Sequence, residues 1–311
     1  MEIFETLDFA PQAPCSLALG AFDGLHPGHL AVIEAALEGG LPAAVFTFPS
    51  APSGEPTVVT AEDKASLLAG LGVERVYSVE FEALRNMEAA DFVERVLFQK
   101  INARRLCCGE DFRFGRGAAG DAALLRALCE RRGAELRVVP PVKLDGEKIS
   151  STRVRQAVEA GNIPQANRLL GRPFGFELEV IHGNHIGTGL GTPTINQALP
   201  QGFVLPRFGV YAAWCQVEGA LYYGVCNIGV KPTVGSDRVL AETWMPEFQG
   251  DLYGRRVRLF LLDFIRPEKK FASLDQLKEE IRRNAQTARA MAQAAPLGDG
   301  AGRSAGVPAD S

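Results

Sequence analysis

Gly20-Ala21-Phe22-Asp23-Gly24-Leu25-His26-Pro27-Gly28-His29 lies between an apolar run, Ser16–Gly20, and a helical pattern, His29–Leu37. A strand that turns sharply into a helix through glycines brings backbone N–H groups close to a ligand. His26 and His29 are three residues apart, so at the first turn of a helix both rings face the same space. Two imidazoles there, beside the positive end of the helix dipole, suit a phosphoryl group whose charge grows in a transition state. Positioning and charge stabilisation suffice for nucleotidyl transfer. Two other readings are that the pair caps a turn or lines a core, and that it binds zinc. The zinc reading is the weaker, because no third Cys or His stands nearby in sequence.

Outward from this stretch, short apolar runs alternate with helical patterns. Strands are expected at Ser16–Gly20, Ala43–Phe48, Arg75–Val79, Leu106–Cys108 and Leu136–Val139. Helices are expected at His29–Leu37, Ala61–Ala69, Ala89–Phe98 and Ala122–Arg132. The alternation predicts an α/β, doubly wound sheet of parallel strands, with ligands at the strands' carboxyl ends. Two short helices follow, Thr152–Ala160 and Ile163–Leu170, and Gly171-Arg172-Pro173 then breaks the pattern. Beyond it Phe176–Ile181, Val210–Val217, Leu221–Asn227 and Val257–Phe264 read as strands separated by turns, which predicts an antiparallel β-barrel. A helix is expected from Leu274 to Met291. The division predicted is 1–174, 175–292 and a disordered tail 293–311, rich in Ala, Gly and Pro.

Bulk properties narrow the function. The net charge is −4 over 311 residues, which argues against a general grip on nucleic acid or an acidic membrane. The first five residues carry two glutamates and no apolar core, unlike a secretory leader, and no apolar run is long enough to span a bilayer. Cysteines at 15, 107, 108, 129, 215 and 226 form no C-x-x-C pair, so reduced thiols and a cytoplasmic protein are expected.

The Gly20–His29 stretch resembles the signature of H-x-G-H nucleotidyltransferases, in the G-x-F-D-G-x-H-x-G-H form of the prokaryotic bifunctional riboflavin kinase/FMN adenylyltransferase (FAD synthetase) family. Gly109-Glu110-Asp111-Phe112-Arg113-Phe114-Gly115 is similar to that family's G-x-D/N-F-R-F-G loop, and Ile149-Ser150-Ser151-Thr152-Arg153-Val154-Arg155 to its I-S-S-T-R-I-R motif. The resemblance implies nucleotide binding by Gly20, Phe22, Asp23, His26, His29, Asp111, Arg113, Ser151, Thr152, Arg153 and Arg155. Independently of it, hydroxyls at a helix start with two arginines one turn inside would hold a triphosphate. Ser151-Thr152 also suits a plain helix cap, and Asp111 with Arg113 a surface ion pair.

A second Gly-rich stretch, His182 to Asn196, ends in Pro193-Thr194-Ile195-Asn196. Such a loop can wrap phosphates with backbone N–H groups. Thr194 and Asn196 point the same way on a strand, and their oxygens suit Mg²⁺. The stretch resembles the riboflavin kinase P-T-A-N loop, with Thr188 and Thr192 in place of the usual Arg and large apolar residue. Later segments agree in order, among them Gly224–Gly229, Asp251–Gly254 and Phe264–Glu268. The resemblance implies nucleotide binding by Gly187, Gly189, Gly191, Thr194 and Asn196, with Mg²⁺ on the last two. It implies flavin contacts for Arg266 and Glu268, and a general-base role for Glu242 in Ala241-Glu242-Thr243. Without those segments Glu242 reads as one more exposed strand carboxylate. The function implied is phosphorylation of riboflavin to FMN and adenylylation of FMN to FAD, with riboflavin, FMN and ATP as partners. Another H-x-G-H adenylyltransferase leaves the second half unexplained. A flavin-binding regulator with silent sites is the remaining alternative.

Overall fold

The computed structural model describes residues 1–38, 40–182, 193–233 and 236–295. By compactness the chain divides into two units, Met1–Ser151 and Thr152–Ser311.

In the first unit six strands form one parallel sheet: β1 (Glu2–Phe4), β2 (Cys15–Leu19), β3 (Ala43–Thr47), β4 (Arg75–Ser78), β5 (Ala103–Gly109) and β6 (Glu135–Val139). Their spatial order is β1-β4-β3-β2-β5-β6. β2 and β3 are buried along their whole length, as strands covered on both faces must be. Successive residues face opposite ways: Leu17 and Leu19 enter one apolar cluster with Phe46 and Phe92, and Ala18 the other with Val45 and Val76.

The helices are fixed by their ends. α1 (Pro27–Leu37) has Pro at its first position, where the missing N–H costs nothing. α2 (Ala61–Gly70) is capped by Thr60, whose hydroxyl accepts from Asp63 N at 3.0 Å. The next helix starts as α3 (Ala89–Asp91) and continues π-wound over Phe92–Lys100, where α-helix was expected to Phe98. The wider turn puts positions i, i+4 and i+5 on one stripe, and Phe92, Val93, Val96 and Leu97 all bury. α4 (Ala122–Arg132) runs from an Asp121 cap to left-handed Gly133. β1 and a small hairpin, β7 (Lys143–Leu144) with β8 (Glu147–Lys148), are additional to the expected elements.

α5 (Ser151–Glu159) and α6 (Ile163–Leu170) fall almost entirely with the second unit, although the sequence changes character only at Gly171. The reason is packing: Asn167 of α6 donates to Leu261 O at 3.3 Å and accepts from Phe174 N at 2.7 Å. The second unit's strands are β9 (Gly175–Glu179), β10 (Thr194–Ala198), β11 (Gly209–Val217), β12 (Ala220–Thr233), β13 (Ser236–Trp244) and β14 (Arg256–Arg266). They pair antiparallel in the order β10-β13-β12-β11-β14-β9, and a bridge from Ile181 to Asn196 nearly closes the barrel. β10 carries Thr194 and Asn196 and β13 carries Glu242, the residues read from sequence as lying on strands, though no bounds were expected for either element. Tyr211, Cys215, Cys226 and Leu259 are fully buried. The last helix, α7 (Leu274–Ala294), packs Ala288 and Ala292 against Ala212 and Leu262. It runs three residues past Met291, into the segment read as tail, and residues 296–311 lie outside the described residues. A doubly wound α/β unit followed by an antiparallel barrel is the fold class expected.

Candidate active sites

The order of the parallel sheet reverses between β2 and β5: the chain runs from β2 outward through β3 and β4, then returns to place β5 on the other side of β2. A crevice opens at the carboxyl ends of strands at such a switch point. The Gly20–His29 turn follows β2 there, and the Gly109–Gly115 loop follows β5.

His26 is the N-cap of α1, its Nδ1 accepting from His29 N at 3.3 Å. The two imidazoles stack with centroids 3.7 Å apart and planes 17° from parallel, and Phe22 meets His29 edge-on at 5.5 Å. A Cβ on Gly28 would stand 3.2 Å from His26 Cε1, so glycine leaves room for the ring. Phe22 and Leu25 adopt left-handed φ values of 49° and 42°, a strained backbone for bulky residues. The surroundings hold that strain. Asp23, buried, accepts from Val58 N at 2.7 Å through its carboxylate and from the Ser151 hydroxyl at 2.8 Å through its carbonyl. Ser151 opens α5, on which Thr152 is exposed, Arg153 half-buried and Arg155 buried.

Asp111 and Arg113 are both exposed on the loop after β5. The ion-pair partner of Asp111 is Lys148 of β8, and the Lys148 hydrogen bond and charge hold its carboxyl below its ordinary range against the opposing effect of burial. Arg113 donates to the Phe112 carbonyl at 3.2 Å. An unbroken chain of ring contacts, Phe48–Phe46–Phe92–Phe114–Phe112, runs along this carboxyl edge. The chain is not legible in the sequence, because its rings come from three separate segments.

In the second unit, Glu242 of β13 is the register partner of Asn196 on β10 and of Asn227 on β12. Partners in register share a face of the sheet, so the carboxylate stands between two carboxamides. Thr194 is on the same face, while Ile195, Gln197 and Thr243 are buried on the other. Asn196 is buried, and among the described residues its Oδ1 has no hydrogen-bond partner. Asn227 Nδ2 donates to Glu268 Oε1 at 3.2 Å, which brings Glu268 to this site. Asn227 was passed over as one position in the Gly224–Gly229 run. Arg266 turns instead to Glu280 of α7, at 3.0 Å. Lys269 and Arg266 hold the Glu280 carboxyl below its ordinary range. Gly187, Thr188, Gly189, Gly191 and Thr192 lie outside the described residues.

A family model described as FAD synthetase matches residues 8–153, and one described as riboflavin kinase matches residues 170–292. The bifunctional riboflavin kinase/FMN adenylyltransferase of Pseudomonas fluorescens is 38% identical over 91% of this chain and 94% of that protein. Its counterpart in Bacillus subtilis is 34% identical over 89% of this chain and 92% of that protein. A solved Streptococcus pneumoniae structure, described as a macrolide-efflux protein, superposes with a TM-score of 0.82 at 28% identity, covering 92% of this chain and 98% of that one. Among the described residues here, no helix is long and apolar enough to cross a membrane. Two family models in the order of the two units, with relatives matched over nearly their whole length, place this chain in the bifunctional riboflavin kinase/FMN adenylyltransferase family.

Proposed function

We propose that the two reactions of this family run at separate sites in this chain. Riboflavin is phosphorylated to FMN on the Asn196–Glu242–Asn227 face, and FMN is adenylylated to FAD at the His26–His29 turn, with release of pyrophosphate. The observation that carries this division is the make-up of the two groups. The stacked histidines and Asp23 lie wholly within the first unit, and Glu242 with its two asparagines wholly within the second.

In the first reaction Glu242 takes the proton of the ribityl hydroxyl as that oxygen bonds to the γ-phosphorus of ATP and the bond to ADP breaks. Mg²⁺ fits the donor set: the Asn196 Oδ1 is a buried oxygen without a partner among the described residues, and Thr194 adds a hydroxyl on the same face. When bound, the ion would neutralise charge on the ATP phosphates. Glu268, bonded to Asn227, and Arg266, ion-paired with Glu280, are assigned to the flavin by resemblance to the family.

In the second reaction a phosphate oxygen of FMN attacks the α-phosphorus of ATP. His26 and His29 donate hydrogen bonds to the oxygens on which charge develops. Asp111, Arg113 and the run from Ser151 to Arg155 are assigned to the nucleotide by resemblance to the family. A flat isoalloxazine ring needs an aromatic wall, and Phe48 and Phe112, each half-buried, offer one. Six free, buried cysteines support a reducing compartment, the cytoplasm.

The test is incubation of the full chain with riboflavin, ATP and Mg²⁺, with flavins resolved by chromatography over time. FMN should appear first and FAD after it. Flavin bound but unconverted would overturn the reading in favour of a regulator.

A further inference from the structure

Lys64 stands on α2 in the run Ala61-Glu62-Asp63-Lys64, which reads as a solvated helix start, yet it is only 4% exposed. Lysines are almost never buried so far unless their ammonium is fully engaged. Here Nζ donates to two backbone carbonyls, Phe48 O at 2.8 Å and Ala21 O at 3.1 Å. The Ala21 carbonyl receives a second donor, the buried Thr47 hydroxyl, at 2.7 Å. A trans peptide points its N–H opposite to its C=O. With the Ala21 oxygen drawn toward β3 and α2, the Phe22 N–H is therefore turned the other way, and Phe22 is the residue held at a left-handed φ of 49°. The Asp23–Val58 hydrogen bond fastens the same turn to the same β3–α2 connection. Burial lowers the Lys64 ammonium to about 8, with Asp23 opposing the shift.

We propose that Lys64 is a positioning residue for adenylyl transfer, acting through the Ala21–Phe22 peptide. By holding the Ala21 carbonyl, it presents the Phe22 N–H and the His26–His29 turn that follows to the transferring phosphoryl group. A cation bonded to the carbonyl also polarises the peptide, which makes its N–H a better donor to developing negative charge. This rests on the assignment of adenylylation to the histidine turn.

The experiment uses the full-length enzyme carrying Lys64→Met, with riboflavin phosphorylation by the same protein as the internal control. Thr47→Val, which removes the other donor with little change of shape, is run beside it, and so is His29→Ala. For Lys64→Met, kcat for FMN adenylylation should fall by about 10–100-fold, less than the roughly 10²–10³ for removing an oxyanion donor outright, with KM for ATP and FMN nearly unchanged. Thr47→Val should fall in the same direction by less, and the kinase rate should hold in both. A folded Lys64→Met with normal kcat overturns the proposal, as does a loss of both reactions in step with a lowered Tm. Should Lys64→Met not fold, Thr47→Val decides: reduced kcat at constant KM supports the proposal and normal kcat overturns it. His29→Ala separates the two levels, because full adenylylation there removes the site assignment itself, whereas its loss beside a normal Lys64→Met removes only the lysine.

Discussion

His26 and His29 are bound to each other twice: their rings stack 3.7 Å apart, and the His26 Nδ1 accepts the His29 backbone N–H. One side chain thus both caps the helix and faces the site. Substitution can separate those roles. His26→Ala removes the cap and should cost about 1 kcal/mol in urea unfolding, whereas His26→Asn supplies another cap acceptor and should cost much less. Both should lose most FMN adenylylation. Equal stability losses in the two variants would contradict the capping role, and retained activity in His26→Asn would contradict the catalytic one.

Asn196 makes the opposite test, since its buried Oδ1 lacks a protein partner among the described residues. Asn196→Leu removes an oxygen that costs desolvation and gains no protein hydrogen bond, so Tm should stay or rise. Riboflavin phosphorylation should nonetheless require about 10–100-fold more Mg²⁺, the range for disturbing a metal's supporting groups. A lower Tm with an unchanged Mg²⁺ requirement would show the carboxamide to be structural.

The buried thiols predict alkaline sensitivity. Burial pushes Cys15, Cys107 and Cys129 up to about 11, Cys108 and Cys226 to about 12, and Cys215 well above its ordinary value of 9.0. Each folded value lies above the unfolded one, so the stability contributed is complete below pH 9 and is lost as pH rises through 11–12. Lys64 acts in the other direction. Its folded value near 8 lies below the unfolded 10.5, so it adds stability as pH rises between them. One amine opposes six thiols, and melting temperature should therefore fall above about pH 9. A melting temperature that climbs steadily to pH 11 would contradict this assignment.

How far the sequence reveals this molecule differs by element. The turn into α1 is legible because Gly, Pro and His at fixed spacing have few uses other than a tight strand-to-helix turn. α4 is legible from Ala122 to Arg132 because Asp121 and Gly133 mark its ends. The extent of β10 is hard to see, since Thr194-Ile195-Asn196-Gln197-Ala198 buries Asn and Gln beside Ile and blurs the alternation of the strand that carries Thr194 and Asn196. The role of Lys64 is not legible for the related reason that burial of its charge depends on two carbonyls, 16 and 43 residues away in sequence. Arg266 could not be placed from sequence either, because its partner Glu280 belongs to α7 and meets it only in the folded barrel.

One comparison of products tests the assignment of the two reactions to two sites most directly. Full-length His29→Ala and Glu242→Gln are each given riboflavin, ATP and Mg²⁺, and each in parallel is given FMN in place of riboflavin. His29→Ala should accumulate FMN, with FAD formation slowed about 10²–10³-fold, the loss expected for one oxyanion donor. Glu242→Gln should make FMN about 10²–10⁴-fold more slowly, as for a lost general base, yet convert supplied FMN to FAD at the parent rate. If either variant loses both reactions together while remaining folded, or keeps both, the two reactions do not belong to the two sites assigned.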